Sequence, residues 1–258
     1  MMNNYPNDFV PLEIHIGDQY ETNWGNLRRS FYNANATPTV WFDGVTQVVG
    51  ASSVQSAFQQ YQSVYLSHKA AGTDVTMEME VYKIAPNTCN VIVRTGVESG
   101  GTAKNVRLQI VQLLDYWPTS PSYSRNTVKQ GTLWPIYLTI NPGEVRQSVG
   151  SFTLDGDSLA NPQNVKFVAF VQDRVGSPPA TIFNGVWQTG PFDFRTGDMN
   201  CDALVNFSDI NPFVLALTNP AGWQAQYPNC DLLNGDINGD GFVDFADINP
   251  FVRLLTNP

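Results

Sequence analysis

Two stretches near the end of the chain, GDMNCDALVNFSDINPFVLALTNP at 197–220 and GDINGDGFVDFADINPFVRLLTNP at 235–258, place a carboxylate or amide at almost every second position of their first halves. In the second, Asp236, Asn238, Asp240, Gly241, Asp244 and Asp247 fall at positions 1, 3, 5, 6, 9 and 12 of a calcium-type loop. Asp198, Asn200, Asp202, Asn206 and Asp209 repeat that order in the first. The chemistry such spacing serves is coordination of a hard cation by about six to eight oxygens at roughly 2.3–2.6 Å, aimed inward from alternate positions. Position 7 gives only its backbone carbonyl, so Leu204 and Phe242 can be apolar there. Two calcium ions are the expected occupants. Gly241 supplies the sharp bend of position 6, where the first loop has Ala203, so the second loop is expected to bind more tightly.

Aligned without a gap, the stretches agree at about two thirds of their positions, which makes each copy one structural unit. A helix is expected after each loop. Pro212 and Pro250 are tolerable only in a first turn, so these helices start near the Asp-Ile-Asn run, with Ile210, Phe213, Val214 and Leu217 on one apolar face. Two blander accounts stand beside cation-dependent docking. The acids could be a solvated, Asx-rich turn repeated by chance, or calcium could simply staple a module of about sixty residues that has little core.

Aspartate at position 12, where the ordinary EF-hand has glutamate, together with a single helix after each loop, resembles the dockerin family over about residues 197–258. The resemblance implies two loop–helix units paired about a pseudo-twofold axis, secretion, and a cohesin-like or other surface protein as partner. Phe207, Phe213, Phe245 and Phe251 are the contact residues expected for that partner. Cohesin-binding dockerins commonly carry small hydroxyl residues at positions 10 and 11, whereas this chain has Phe207-Ser208 and Phe245-Ala246, which leaves the partner's identity open.

The whole chain has 258 residues, enough for two or three domains, and a formal charge of −9. Residues 198–258 hold eight Asp, no Glu and one Arg, a net −7 that leaves −2 for the rest. The acidity therefore belongs to the loops. With no basic patch and no apolar run of about eighteen residues, neither nucleic acid nor a membrane span is expected. Cys201 and Cys230 bracket the first repeat and its linker, and a disulfide between them would staple the module in an oxidising compartment. Cys89, inside an apolar run, reads as a small buried thiol. No signal peptide is visible at Met1–Pro6, yet such loops suit millimolar external calcium, a conflict that a missing N-terminal piece would resolve.

Residues 9–16, FVPLEIHI, alternate apolar and polar and read as a strand, with His15 on its polar face. Residues 24–32 read as a short helix with Trp24, Leu27, Phe31 and Tyr32 inward, followed by a hairpin turning at Asp43-Gly44 and a helix over about Ser53–His68. Thr37-Pro38-Thr39 entering that hairpin is similar to the cis-proline motif of the thioredoxin superfamily, over about residues 1–70. The resemblance implies a cis peptide at Pro38. Thioredoxin-like catalysts place Cys-x-x-Cys at the start of their first helix, where the pKa of the nucleophile is lowered. Here Met1–Pro6 look like the last turn of that helix, so the first strand and the cysteine pair are missing and dithiol exchange is not expected of the sequence as it stands.

From Val75 to about Gly190 strand-like runs alternate with turn signals: VTMEMEVYKI, CNVIVRT, VRLQIVQLL, LWPIYLTI, VGSFTL and VKFVAFVQD. Runs spaced this way suggest an antiparallel, immunoglobulin-like sandwich. The Tyr123-Ser124-Arg125-Asn126 stretch and Phe167–Asp173, behind a thioredoxin-like half, resemble a bacterial family of secreted or outer-membrane proteins. No catalytic pairing emerges: Asp115, Glu98 and Glu144 lie on separate turns, and two histidines in the chain make a Ser-His-Asp or zinc site improbable. Tyr116, Trp117, Tyr123 and Trp134 could line a carbohydrate platform or simply pack.

The expected architecture is multidomain: a truncated α/β thioredoxin-like part (1–72), an all-β immunoglobulin-like sandwich (73–190) and a small α dockerin/EF-hand-like module (191–258). The expected function is that of a secreted or cell-surface bacterial protein, non-catalytic, docked through its calcium-loaded tail. The competing expectations are a thiol-disulfide oxidoreductase whose Cys-x-x-Cys lies upstream, and a carbohydrate-binding component of a polysaccharide-degrading assembly.

Overall fold

The structure, a computed structural model, describes residues 1–6, 8–119, 124–202, 204–228 and 230–256; Tyr123 and Ala203 lie outside them. The order of elements is α1 (Asn23–Tyr32), β1 (Thr39–Phe42), β2 (Thr46–Val49), α2 (Val54–Lys69), β3 (Val75–Ala85), β4 (Thr88–Val97), β5 (Lys104–Leu114), β6 (Thr127–Gly131), β7 (Ile136–Ile140), β8 (Val145–Thr153), α3 (Gly156–Ala160), β9 (Val165–Asp173), β10 (Ile182–Thr189), α4 (Ile210–Thr218), α5 (Pro220–Gln226) and α6 (Ile248–Thr256). This is a mixed α/β fold with a β1-β2 hairpin, a sheet ordered β10-β9-β5-β6 in which β7 also pairs β5, and a sheet ordered β3-β4-β8. No described helix is long and apolar enough to cross a membrane. The chain divides into two compact units, residues 1–79, 93–148 and 163–190 in one and residues 80–92, 149–162 and 191–258 in the other.

In the first unit, the antiparallel pairing of β5 with β9 from Val106↔Asp173 to Leu114↔Val165 forms the spine. Both strands are buried on both faces over most of their length, which the apolar run of VKFVAFVQD suits, and the polar Gln109, Gln112 and Gln172 are buried with them. Trp24, Val111, Leu113, Val128, Val168 and Phe170 make one core, onto which Val10, Leu12 and Ile14 pack. Residues 9–16 do not form the expected strand. Their ladder is one parallel bridge, Glu13 to Thr127, because Pro11 offers no amide to continue it.

α1 is capped by the Thr22 hydroxyl and ends at Asn33 in the left-handed conformation. Its inward face differs from the expected one: Leu27 is 53% exposed, and Arg28 is buried in its place. The Arg28 guanidinium lies among Trp24, Phe31, Tyr32 and Phe170 and donates to Tyr32 Oη at 2.9 Å and Gln172 Oε1 at 2.8 Å. Aromatic faces and two oxygens replace water around the cation. Burial pulls its pKa down from the usual arginine range, opposed by Tyr32.

The β1-β2 hairpin turns at Asp43 and Gly44, both at positive φ. A Cβ at Gly44 would run into the Ala180 carbonyl, so glycine serves here both the turn and the close approach of β9's following loop. The Thr37–Pro38 peptide is cis, and the Pro38 carbonyl accepts Gly50 N–H at 2.8 Å. α2 follows with a Ser53/Ser56 capping box, and His68 in its last turn reaches Asp43 at 3.0 Å and Thr46 at 2.8 Å. Two strands do not stand out in the sequence, β6 (TVKQG) because it has one apolar side chain and β10 (IFNGVWQT) because Asn184-Gly185, a turn-type pair, interrupts it; pairing to β5 and β9 makes them strands. The run from Leu133 becomes strand only at Ile136, after Pro135, leaving Trp134 87% exposed.

In the second unit the repeats close around Met199, Phe213, Ala216, Trp223, Cys230 and Phe251. α4 and α6 begin at Ile210 and Ile248, with Pro212 and Pro250 in their first turns. Ile210 and Val214, expected on the buried face of α4, are 39% and 50% exposed.

Candidate metal centre

Each loop is an irregular turn that ends in a 3-10 turn, Phe207–Asp209 or Phe245–Asp247, running straight into α4 or α6. The local cause is the same twice. Asn206 accepts Ser208 N–H and Asp244 accepts Ala246 N–H at 2.7 Å, while the position-12 aspartate returns a bond to each cap, a reciprocal capping box.

The position-12 carboxylates brace the loops. Asp209 Oδ1 accepts the amides of Met199 at 2.8 Å and Asn200 at 3.1 Å, and its Oδ2 accepts Asn206 N–H at 2.9 Å. Asp247 repeats the set with Ile237 at 2.8 Å, Asn238 at 3.0 Å and Asp244 at 3.0 Å. Position 1 organises the other end: Asp236 Oδ1 accepts Gly239 and Asp240 amides and Oδ2 accepts Gly241, while Asp198 Oδ1 accepts Asp202. At positions 3 and 5 the amide of Asn200 donates to Asp202 at 2.9 Å, and that of Asn238 to Asp240 at 3.0 Å. Gly241 stands at φ +89°, a conformation any other side chain adopts under strain.

Asp198, Asp209 and Asp247 have no exposed surface. Burial pushes the Asp209 carboxyl up, against the three amides that favour its charged form, and the neighbouring Asp202 charge adds to the rise. The Asp209 and Asp247 carboxylates, buried and held by backbone amides, are costly unless a cation offsets them, and residues 198–258 contain one arginine, Arg253. Among the described residues no three His, Cys, Asp or Glu side chains converge into a metal cluster by themselves. The fit of a cation rests instead on donor chemistry and the loop frame. Asp198, Asn200, Asp202, the Leu204 carbonyl, Asn206 and Asp209 in one loop, and Asp236, Asn238, Asp240, the Phe242 carbonyl, Asp244 and Asp247 in the other, offer oxygen donors suited to a hard divalent ion.

Three further features hold the loops. Cys201, at position 4 of the first loop, is disulfide-bonded to Cys230. Trp223 is fully buried and its Nε1 donates to the Met199 carbonyl at 3.1 Å. Tyr82 of β3 places its hydroxyl 3.5 Å from Asp198 Oδ2, with Asn90 donating to it at 3.4 Å. Sequence reading singled out neither Trp223 nor Tyr82. Asn219-Pro220, an N-cap followed by proline at N1, is the signal that marks α5 and hence Trp223; no local pattern marks Tyr82.

The four expected contact residues separate into two pairs. Phe207 and Phe245 are 71% and 72% exposed at equivalent positions. Phe213 and Phe251 are buried and pack against each other as a tilted pair with ring centroids 4.3 Å apart, so they are core and cannot meet a partner directly. Their spacing in α4 and α6 turns them inward, where the small module needs its largest apolar area.

No protein-family model matches the chain, and no curated protein matches it in sequence. Among solved structures, HBP35 of Porphyromonas gingivalis superposes with a TM-score of 0.56 at 16% identity, over 69% of this chain and 62% of that one. The chain thus spans less than two thirds of HBP35, and the likeness is one of fold. A domain of the outer membrane lipoprotein Omp28 from the same organism covers 47% of this chain and 91% of its own at a TM-score of 0.34 and 12% identity, too loose an overlay to carry an argument.

Proposed function

We propose that this chain is a secreted or cell-surface bacterial protein, non-catalytic in the sequence described, whose terminal repeats form a calcium-dependent, dockerin-like docking module for a cohesin-like or other surface protein. The observation that carries this reading is duplication down to single hydrogen bonds: both loops use a buried position-12 aspartate to gather the amides of positions 2, 3 and 9. Two calcium ions, one per loop, would offset that buried negative charge. Phe207 and Phe245 give the outer face a repeated aromatic contact. The disulfide favours an oxidising compartment. A thioredoxin-like reading of residues 1–72 is supported by the cis Thr37–Pro38 peptide ahead of a hairpin and helix, and a sandwich reading of residues 73–190 by the antiparallel β10-β9-β5-β6 order.

Calorimetric titration of the intact chain tests the reading. Two calcium sites are expected, one lost in Asp198→Ala and the other in Asp236→Ala, and capture by an immobilised cohesin is expected to vanish in chelator and in the Phe207→Ala/Phe245→Ala double variant. A chain that takes up no calcium sinks the loop assignment. Calcium binding with no calcium-dependent partner reduces its role to that of a staple.

A second reading, carbohydrate binding by the first unit, rests on Trp134, 87% exposed beside Leu133 at 45%. Glycan binding lost in Trp134→Ala with the fold intact would favour it.

A further inference from the structure

We propose that Asn234 is a positioning residue that couples the two cation loops, so that filling the second loop tightens the first. The inference rests on the calcium reading above and adds a route between the sites.

Asn234 has no exposed surface and grips the entrance of the first loop from two sides. Its main-chain carbonyl accepts Gly197 N–H at 2.6 Å, and its side-chain Nδ2 donates to the Asp198 carbonyl at 2.8 Å. The same amide lies 3.6 Å from Cys201 Sγ, at position 4 of that loop. Asp198 is thereby held through its backbone, leaving its carboxylate aligned by Asp202 N–H and by Tyr82.

The other end of the device is two residues on. Asn234 belongs to a 3-10 turn, Leu232–Gly235, whose next residue is Asp236, position 1 of the second loop. Asp236 N–H donates back into this turn, to the Leu233 carbonyl at 3.1 Å, and the Asp236 carboxylate gathers three amides of its own loop. A cation fixing Asp236 fixes the end of that turn, and the turn presents Asn234 to Gly197 and Asp198. Apart from Asn234 itself, the path has a single rigid step, one tight turn closed at both ends. The clamp is not mirrored: the equivalent residue of the first repeat is Thr196, which is exposed. Thermodynamic linkage nonetheless makes the coupling reciprocal, so calcium in the first loop raises affinity in the second by the same factor.

A double-mutant cycle on the intact chain tests this. Calcium affinity of the first loop is read by calorimetry and by the change in tryptophan emission, to which buried Trp223 on the Met199 carbonyl contributes. Asp236→Ala disables the second loop. Asn234→Leu removes the amide while keeping the bulk, and Asn234→Ser replaces it where Asn234→Leu does not hold the calcium-free circular dichroism of the parent. Disabling the second loop is expected to weaken the first about fivefold or more when Asn234 is present, and less than about twofold when it is replaced. The same loss with and without Asn234, or no loss in the parent, overturns the coupling while the calcium reading stands. A parent chain with no calcium isotherm overturns both.

Discussion

Phe213 and Phe251 meet ring to ring, centroids 4.3 Å apart and planes inclined by 33°, each from the same position of its repeat. The two repeats are therefore joined at their cores by the residues that duplication made equivalent. Phe213→Ala or Phe251→Ala is expected to cost about 3–5 kcal/mol of the module's stability, since each leaves a cavity in a small core. Denaturant unfolding in saturating calcium, followed through the near-UV signal, measures it; a loss under about 1 kcal/mol would mean the rings do not hold the repeats together.

Gly241 at φ +89° makes a second expectation. Gly241→Ala forces a Cβ into a backbone region that costs about 1–2 kcal/mol, so calcium affinity of the second loop should fall about tenfold while the first loop changes far less. Equal affinities in parent and variant would remove glycine from the account of this loop.

Cys89 has no exposed surface, and burial pushes its thiol up to about 11. At pH 8 it stays protonated and out of reach, so iodoacetamide should leave the folded chain unlabelled and label one thiol after denaturation without reductant. Labelling of the native protein within minutes would contradict the packing of β4.

Asp115 supports a pH prediction. Burial pushes its carboxyl up, but the two-pronged Arg125 pair, at 2.6 and 2.9 Å, and the amides of Asn126 and Tyr116 outweigh that and hold it below the usual range. A depressed folded pKa adds stability above the unfolded value near ~3.9, and that stability is lost as pH falls through the folded pKa. Asp115→Asn should therefore flatten the acid limb of stability below about pH 4 and lower the plateau at neutral pH. An unchanged acid limb in urea titrations would show that the pair contributes nothing net.

Local chemistry made some of this legible. Asp43-Gly44, Ser53 ahead of α2, and the alternating acids of the repeats are short-range signals that act on their own backbone, so a window of a few residues contains their cause. Long-range partners decide the rest. Arg28 is inward because Phe170 and Gln172 lie opposite it, far along the chain, and Leu27 is outward by the same turn of helix. β10 and β6 borrow their strand character from β9 and β5, and residues 9–16 lose theirs to Pro11. At the loops, the position-1 and position-12 aspartates that gather the loop amides stood out by spacing, whereas Asn234 and Tyr82 act across the fold and left no pattern in the sequence. Phe213 and Phe251 were readable as apolar and aromatic but not as inward, because both faces of α4 carry large apolar residues.

The bond from Cys201 to Cys230, with a sequence separation of 29, closes most of the first repeat and the linker after it into a covalent ring. A protease that nicks the chain once inside that ring adds a water without releasing a fragment, so the cut is invisible to size until the sulfurs are reduced. Such a ring means that one wound does not part the two halves of the module.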